Sequence, residues 1–499
     1  LLRAGVLGAL ASVTIVIGAS QASSPFTKKT TGIIPEITKP WWFGLPGPQG
    51  NVITVGPQHG TGLFLGVVAV YVGMLLLIRC WYEVVRLATR HRGMPVRLLV
   101  PLFAAWTLPL LFVAPLFSND LYSYAAQGEM VTHHINPYLY GPGLLSNGSP
   151  FNALVDHLWQ NVGSPYGPFF LQIDGFVVSL TGHHPLPAIE GLRLLALLGV
   201  VMFAGALPSI ARSFGRDPAI AFSLAALSPL VLLHLVGGGH NDALMLGLMA
   251  VGWALARRGH RIWGLVVIGL AASVKVPAII VAVYIGWEWL GPGLSVRQRV
   301  RPVISALLTS LTVMAGMSEL AGLGWGWIGG LSNPDTVRSW LDPATAVGQL
   351  AGKLVHGLGL GQHTHALITL ARGSGLLLAG GIALVLLLRS DRIGALCALG
   401  WSLVAIVVLS PVIQPWYASW GFVFLAPVVV RRARRFVMVF SAATCFLGLP
   451  GGRIFINELT AANPALVAIA AACLVGFCAL VLWPRWRAGG PRRVAAPAA

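Results

Sequence analysis

The sequence predicts an all-α integral membrane protein, a polytopic bundle of about 13–14 transmembrane helices with helices in its extracytoplasmic loops, on three observations. Of its 499 residues 56% are hydrophobic and only 10% charged, and the mean hydropathy is +0.78. That leaves too little polar surface to clothe a soluble globule. The apolar residues fall into runs of helix length, and the basic residues fall into short clusters between those runs. A net charge of +18 taken alone would suggest nucleic acid, but the clustering follows the positive-inside rule, so membrane lipids are the expected partners and nucleic acid is not. Five cysteines (Cys80, Cys397, Cys445, Cys473, Cys478) lie in or beside apolar segments without metal-type spacing, so no disulfide framework is expected.

The basic clusters serve as cytoplasmic fixed points, between which the number of crossings must be even. They are Arg79 to Arg97, Arg212 with Arg216, Arg257 to Arg261, Arg297 to Arg301, Arg389 with Arg392, Arg431 to Arg435, and Arg485 to Arg493. Apolar runs at 4–20, 61–80, 97–117, 188–211, 217–236, 242–256, 302–322, 374–389, 393–411, 416–430, 435–450 and 464–483 supply about twelve crossings. The first run, with no evident cleavage site, reads as a retained helix. The stretch Ile262 to Leu290 is broken by Ser273-Val274-Lys275-Val276-Pro277, and parity requires two short helices meeting at Lys275. Each half has about 13 residues, roughly 20 Å of helix against a hydrocarbon core of about 30 Å. Loose backbone at such a tip must line protein or water, so this tip and the short run after Gly237-Gly238-Gly239 predict a cavity open to the outer side. Pro168 to Leu180 cannot cross and reads as a re-entrant or interfacial helix. The polar stretches 118–187 and 323–373 then lie outside, residues 1–483 form one membrane domain, and 484–499 make a basic cytoplasmic tail.

Chemistry is expected on the outer face. Asp120 directly follows an apolar run in Ser118-Asn119-Asp120-Leu121-Tyr122-Ser123-Tyr124, where partial desolvation raises carboxylate basicity and suits a general base. A helix-end Asp bonded to loop amides is the structural alternative. Tyr122, Tyr124, Gln127, Asn136, Tyr138 and Tyr166 interleave aromatic rings and amides along the first loop, as sugar-binding surfaces do and as interfacial belts also do. His240-Asn241-Asp242 opens a short span after three glycines. A hydrogen-bonding cluster is the preferred reading there, since one adjacent His–Asp pair is a weak metal signal. The pairs His133-His134 and His183-His184, and His363 with His365, read as loop residues. Lys275, in the middle of an apolar run, costs several kcal/mol unless paired or hydrated, so it is functional by default. An anionic lipid phosphate, an ion pair with a carboxylate, or snorkelling would each satisfy it. Arg193 is a second candidate for phosphate. Gln414, Trp416 and Tyr417 link two spans as interface anchors or as a pocket rim.

Taken in order, S-N-D-L-Y-S-Y-A-A-Q-G from Ser118, N-P-Y from Asn136, P-Y-G-P from Pro165, G-G-H-N-D from Gly238, K-V-P from Lys275 and P-W-Y from Pro415 resemble the actinobacterial polyprenol-phosphomannose-dependent α-1,6-mannosyltransferases of the MptA and MptB type, with MptB favoured by the first block. These are similar to other GT-C glycosyltransferases. The resemblance implies a GT-C-like fold and a cell-wall enzyme. Such an enzyme extends the α-1,6-mannan core of a lipomannan-like, lipoarabinomannan-related glycolipid with mannose from polyprenyl-phosphate mannose. It places the catalytic carboxylate on Asp120. Asn119 stands where family members usually carry Arg, and Asp242, which can be Glu in relatives, reads as a binding carboxylate.

A β-linked mannosyl phosphate giving an α-linkage implies one in-line displacement with inversion. Asp120 would take the acceptor proton, and Lys275 with Arg193 would hold the departing phosphate. Fixed cations could then do the work of a metal, so no metal or other cofactor is expected. The rival readings are a GT-C transferase for another polyprenyl-linked sugar, and a secondary transporter or flippase.

Overall fold

Backbone polar groups in lipid must be satisfied within the segment, which leaves apolar runs such as these only the helix. The computed structural model describes residues 1–20, 61–146, 148–331, 338–449 and 453–454. Nineteen α-helices are seen among these residues, with one two-residue hairpin, Gly448–Leu449 paired with Arg453–Ile454.

The first three, α1 (Leu2–Ala19), α2 (Thr61–Arg90) and α3 (Val100–Thr107), pack together, with Ser12 Oγ donating to Trp106 O at 2.7 Å. The polar stretch that follows holds α4 (Asp120–Thr132), α5 (Pro150–Leu154) and α6 (Pro168–Leu180). Next come α7 (Pro185–Ser213), α8 (Pro218–Ala225) and α9 (Asp242–Arg257). In the broken stretch, α10 (Arg261–Ala272) and α11 (Ile280–Trp287) meet at Lys275, as parity requires. Beyond them lie α12 (Val296–Leu320), α13 (Trp327–Gly330), α14 (Pro343–Gly357), α15 (Thr364–Leu388) and α16 (Ser390–Ile393). The last are α17 (Ala395–Leu409), α18 (Ala418–Leu425) and α19 (Arg431–Thr444). The run 464–483 and the basic tail 484–499 lie outside the described residues.

Among the described residues, five helices are long and apolar enough to cross a membrane: Leu2–Ala19, Gly66–Arg90, Pro185–Ser213, Val296–Leu320 and Thr364–Leu388. The other expected crossings fall on shorter or broken helices. Proline is the physical reason in two of them, because it removes a backbone donor and clashes with the preceding turn. The run 97–117 splits at Pro109 into α3 and a 3-10 turn. The run 217–236 becomes α8 and, past Pro229, a π-helical segment Val231–Gly237. The helix over Pro168–Leu180 has the expected bounds.

The core is uneven. Helices α9 and α18 are buried nearly throughout, while α7 is buried on one face only; a Cβ at Gly247 of α9 would come within 2.5 Å of Gly199 O on α7, so these two backbones touch as small residues allow in membranes. By contrast α12 and α15 leave large side chains such as Leu308 and Leu377 bare. Faces of that kind are untenable in water and natural against lipid chains.

Candidate active site

The site forms where two helix starts and a broken span converge. Phe117 adopts φ 60, a left-handed conformation that a bulky residue holds only when its surroundings enforce it. The turn ends on Asn119 as the N-cap and presents Asp120 as the first residue of α4, and the Asp120 amide donates to Ser118 Oγ at 3.1 Å. The second start follows the π-helical segment. There Gly239 at φ 68 makes a turn that a side chain would block, since a Cβ would lie 2.6 Å from Leu121 Cδ2. His240, Asn241 and Asp242 come next, all buried, and α9 begins.

These pieces bind one another through side chains. His240 Nδ1 lies 3.5 Å from Asp120 Oδ2, and the ring stacks on Trp416 with centroids 3.6 Å apart. The Tyr124 hydroxyl donates to Asn241 Oδ1 at 3.4 Å, while its ring meets Tyr166 and Phe170 edge-on. Lys275 Nζ donates to both oxygens of Asp242, at 3.0 and 3.1 Å, and Trp420 Nε1 donates to Oδ1 at 2.6 Å. The rings of Tyr417, Trp420 and Tyr166 surround the ammonium at 4.4, 5.4 and 5.8 Å. Asp120, though flanked by buried partners, keeps 27% of its side chain exposed, and Lys275 keeps 12%.

Backbone at the broken span finds protein partners rather than being left loose. The amides of Gly167 and Phe169 donate to Val274 O and Ser273 O at 3.0 and 3.1 Å, so the start of α6 caps the break. A Cβ at position 167 would collide with the Ser273 carbonyl, which is why glycine stands in Pro165-Tyr166-Gly167-Pro168. Burial of Asp120 opposes its ionisation, but His240 and the charge of Lys275 outweigh this and hold the carboxyl below the usual carboxylate range. The rise in basicity expected from desolvation is thus reversed: at neutral pH Asp120 is a carboxylate, still able to accept a proton from a bound hydroxyl.

Of the residues singled out from sequence, Asp120, Tyr124, Tyr166, His240, Asn241, Asp242, Lys275, Trp416 and Tyr417 meet in this cluster. Arg193 does not join it. Fully buried in α7, it donates to the carbonyls of Leu111 and Val113 and to Glu190 Oε1 at 3.2 Å, so its charge pins the segment leading to Asp120 instead of awaiting a phosphate. Tyr122 is buried near the charges of Arg193 and Glu190. Gln127 accepts from Ser164 Oγ at 3.0 Å, Asn136 ties Tyr138 N and Leu323 O, and Tyr138 donates to Tyr166 O at 3.0 Å. Those three residues hold the loop that carries Tyr166. Gln414 caps the turn before Trp416, with its carbonyl accepting from Tyr417 N at 3.0 Å.

Two residues were missed. Trp420 lies one helical turn beyond Trp416, a spacing that puts both rings on one face and was the available signal. His234 stands beside Trp416, with centroids 6.2 Å apart, and beside Phe117 at 5.3 Å; nothing in its apolar run marks it.

Fold and site together define a multi-pass membrane protein in which a partly exposed carboxylate, Asp120, sits beside a buried ion pair and aromatic rings. Residues 5–291 match the alpha-(1->6)-mannopyranosyltransferase N-terminal domain and residues 344–483 the MptB C-terminal domain. The chain belongs to the alpha-(1->6)-mannopyranosyltransferase family of the MptA/B type. Alpha-(1->6)-mannopyranosyltransferase A of Mycobacterium tuberculosis is 34% identical over 75% of this chain and 73% of its own. A probable alpha-(1->6)-mannopyranosyltransferase of Mycolicibacterium smegmatis is 31% identical over 83% and 80%, and alpha-(1->6)-mannopyranosyltransferase B of Corynebacterium glutamicum 29% over 90% and 76%. The oligosaccharyltransferase AglB of Archaeoglobus fulgidus, solved with an inhibitory peptide and a dolichol-phosphate, is 11% identical over 85% of this chain and 56% of that one. Its TM-score of 0.35 is too low to argue from. The transporter reading gives way to the family.

Proposed function

We propose that this mannosyltransferase takes mannose from polyprenyl-phosphate mannose and adds it, with inversion, to an α-1,6-mannan glycolipid of the lipomannan type on the outer face of the membrane. The observation that carries this reading is a partly exposed carboxylate, Asp120, at the head of α4 beside the Asp242–Lys275 pair. The acceptor 6-hydroxyl gives its proton to Asp120 as its oxygen attacks the anomeric carbon. The bond from that carbon to the phosphate oxygen breaks, and its electron pair leaves with polyprenyl phosphate. Two N–H groups of Lys275 are committed to Asp242, so the phosphate meets the third N–H of an ammonium already half neutralised. That arrangement favours a leaving group whose charge grows during reaction over one that binds tightly beforehand. His240, held flat by Trp416, orients Asp120, and Tyr166 and Tyr417 line the approach.

Membranes containing the enzyme, incubated with labelled polyprenyl-phosphate mannose, arabinose and glucose, should incorporate mannose alone, in a product sensitive to an α-1,6-mannosidase. Incorporation of another sugar in preference, or transfer from GDP-mannose where no lipid-linked donor can form, would contradict the reading.

A further inference from the structure

A second group of polar side chains lies at the opposite end of α4 from Asp120. Glu129 and His133 are one turn apart on the helix, and His183 comes from the turn between α6 and α7, 54 residues later. His133 Nε2 is 3.1 Å from Glu129 Oε1, and His183 Nδ1 is 2.7 Å from Glu129 Oε2. One oxygen and two ring nitrogens thus lie within 4.8 Å of one another. Glu129 is buried, while His133 and His183 keep 57% and 46% of their side chains exposed, so the group has a floor and an open side.

We propose that Glu129, His133 and His183 bind a divalent transition metal, zinc being the best match, at a site separate from the transferase centre. Zinc takes imidazole nitrogen and carboxylate oxygen at about 2.0–2.2 Å in a tetrahedron, which sets ligand atoms roughly 3.3 Å apart. The two imidazole–carboxylate separations, 3.1 and 2.7 Å, lie within about 0.6 Å of that spacing, while the ligand atoms farthest apart, within 4.8 Å, must close by up to about 1.5 Å, a movement that the exposed histidine side chains allow. The exposed side leaves the fourth position to water. Hard cations such as Mg2+ prefer all-oxygen shells and fit two imidazoles poorly. His183 sits at φ 60, a left-handed conformation unusual for any residue but glycine, and in this turn its ring meets the helix. A metal there joins the far end of α4 to the α6–α7 turn, bracing the helix that presents Asp120 without touching the reacting atoms. The competing arrangement is a carboxylate that simply accepts a hydrogen bond from each imidazole.

The test uses the full-length enzyme, purified in detergent without a polyhistidine tag. Metal content by mass spectrometry and Co2+ titration followed by visible absorption are measured for wild type, His133→Ala, His183→Ala and Glu129→Gln. The proposal expects close to one zinc per chain in wild type. It further expects at least tenfold weaker Co2+ binding in each variant, and a rise in unfolding temperature with added Zn2+ that wild type shows and His133→Ala lacks. His133 is exposed, so its variant should fold even if Glu129→Gln does not. Wild type without stoichiometric zinc or a tetrahedral Co2+ spectrum would overturn the site, as would equal binding by His133→Ala. Mannosyl transfer is a separate readout, so loss of the metal site would leave the role of Asp120 standing.

Discussion

The starts of α4 and α9 use the same device for different ends. Each helix opens on an aspartate, where the helix dipole favours a negative charge. At α9 the carboxylate is fully enclosed and its oxygens are committed, with Lys275 bonding both and Trp420 bonding one. At α4 the carboxylate is a quarter exposed and meets the ring of His240 at 3.5 Å, with the charge of Lys275 near it. An enclosed carboxylate with three of its about four lone-pair sites engaged holds structure, whereas an exposed one with capacity left over can receive a proton. On the proposed function the difference divides the work: Asp242 positions Lys275, and Asp120 receives the proton.

Five changes would break or sharpen that division. The largest effect is expected for Asp120→Asn, with transfer falling by about 10²–10⁴-fold, the usual worth of a general base, while the unfolding temperature is unchanged. Lys275→Ala strands Asp242 as an unpaired buried charge and should cost about 3–5 kcal/mol, read by denaturant or thermal unfolding in detergent. The Lys275→Ala/Asp242→Ala pair should recover part of that loss in stability but not donor use. Trp420→Phe keeps an aromatic ring, though a smaller one, and removes one bond to a carboxylate, for a cost of at least about 1.5–3 kcal/mol. The smallest effect is on pH. His240 helps to hold the Asp120 carboxyl low, so in His240→Gln that pKa rises and the acid limb of kcat/KM moves to higher pH than in wild type.

A carboxylate away from the site supplies a control for that pH argument. Asp342, at the start of α14, accepts from Ile413 N at 2.6 Å, and burial pushes it up to about 7. Because its folded pKa lies above the unfolded one, its contribution to stability is full below about pH 4 and is lost as pH rises through about 7. Asp342→Asn should flatten stability across that window without moving the acid limb of activity.

Much of the site was legible because polar residues stand out in an apolar chain. Asp120 ends a hydrophobic run, Lys275 breaks one, and Gly239 marks the turn before His240. Pairings across the chain were not legible. Lys275 and Asp242 are 33 residues apart, and of the three ways to satisfy the lysine only the folded chain selects the ion pair. Arg193 looked like a phosphate ligand because charge in a span suggests function; its carbonyl partners come from an element 80 residues earlier. The histidines at 133 and 183 showed no metal spacing because their shared partner, Glu129, unites them only through the packing of α4 against the α6–α7 turn. Helix bounds failed where prolines cut apolar runs, as at 97–117, and succeeded at Pro168–Leu180, where proline starts the helix.

Single-turnover transfer from labelled polyprenyl-phosphate mannose, loaded onto enzyme before acceptor is added, tests the proton-acceptor role most directly. In Asp120→Asn the donor should load as in wild type and then stay uncleaved after acceptor is added. Transfer within tenfold of the wild-type rate would show that the proton goes elsewhere.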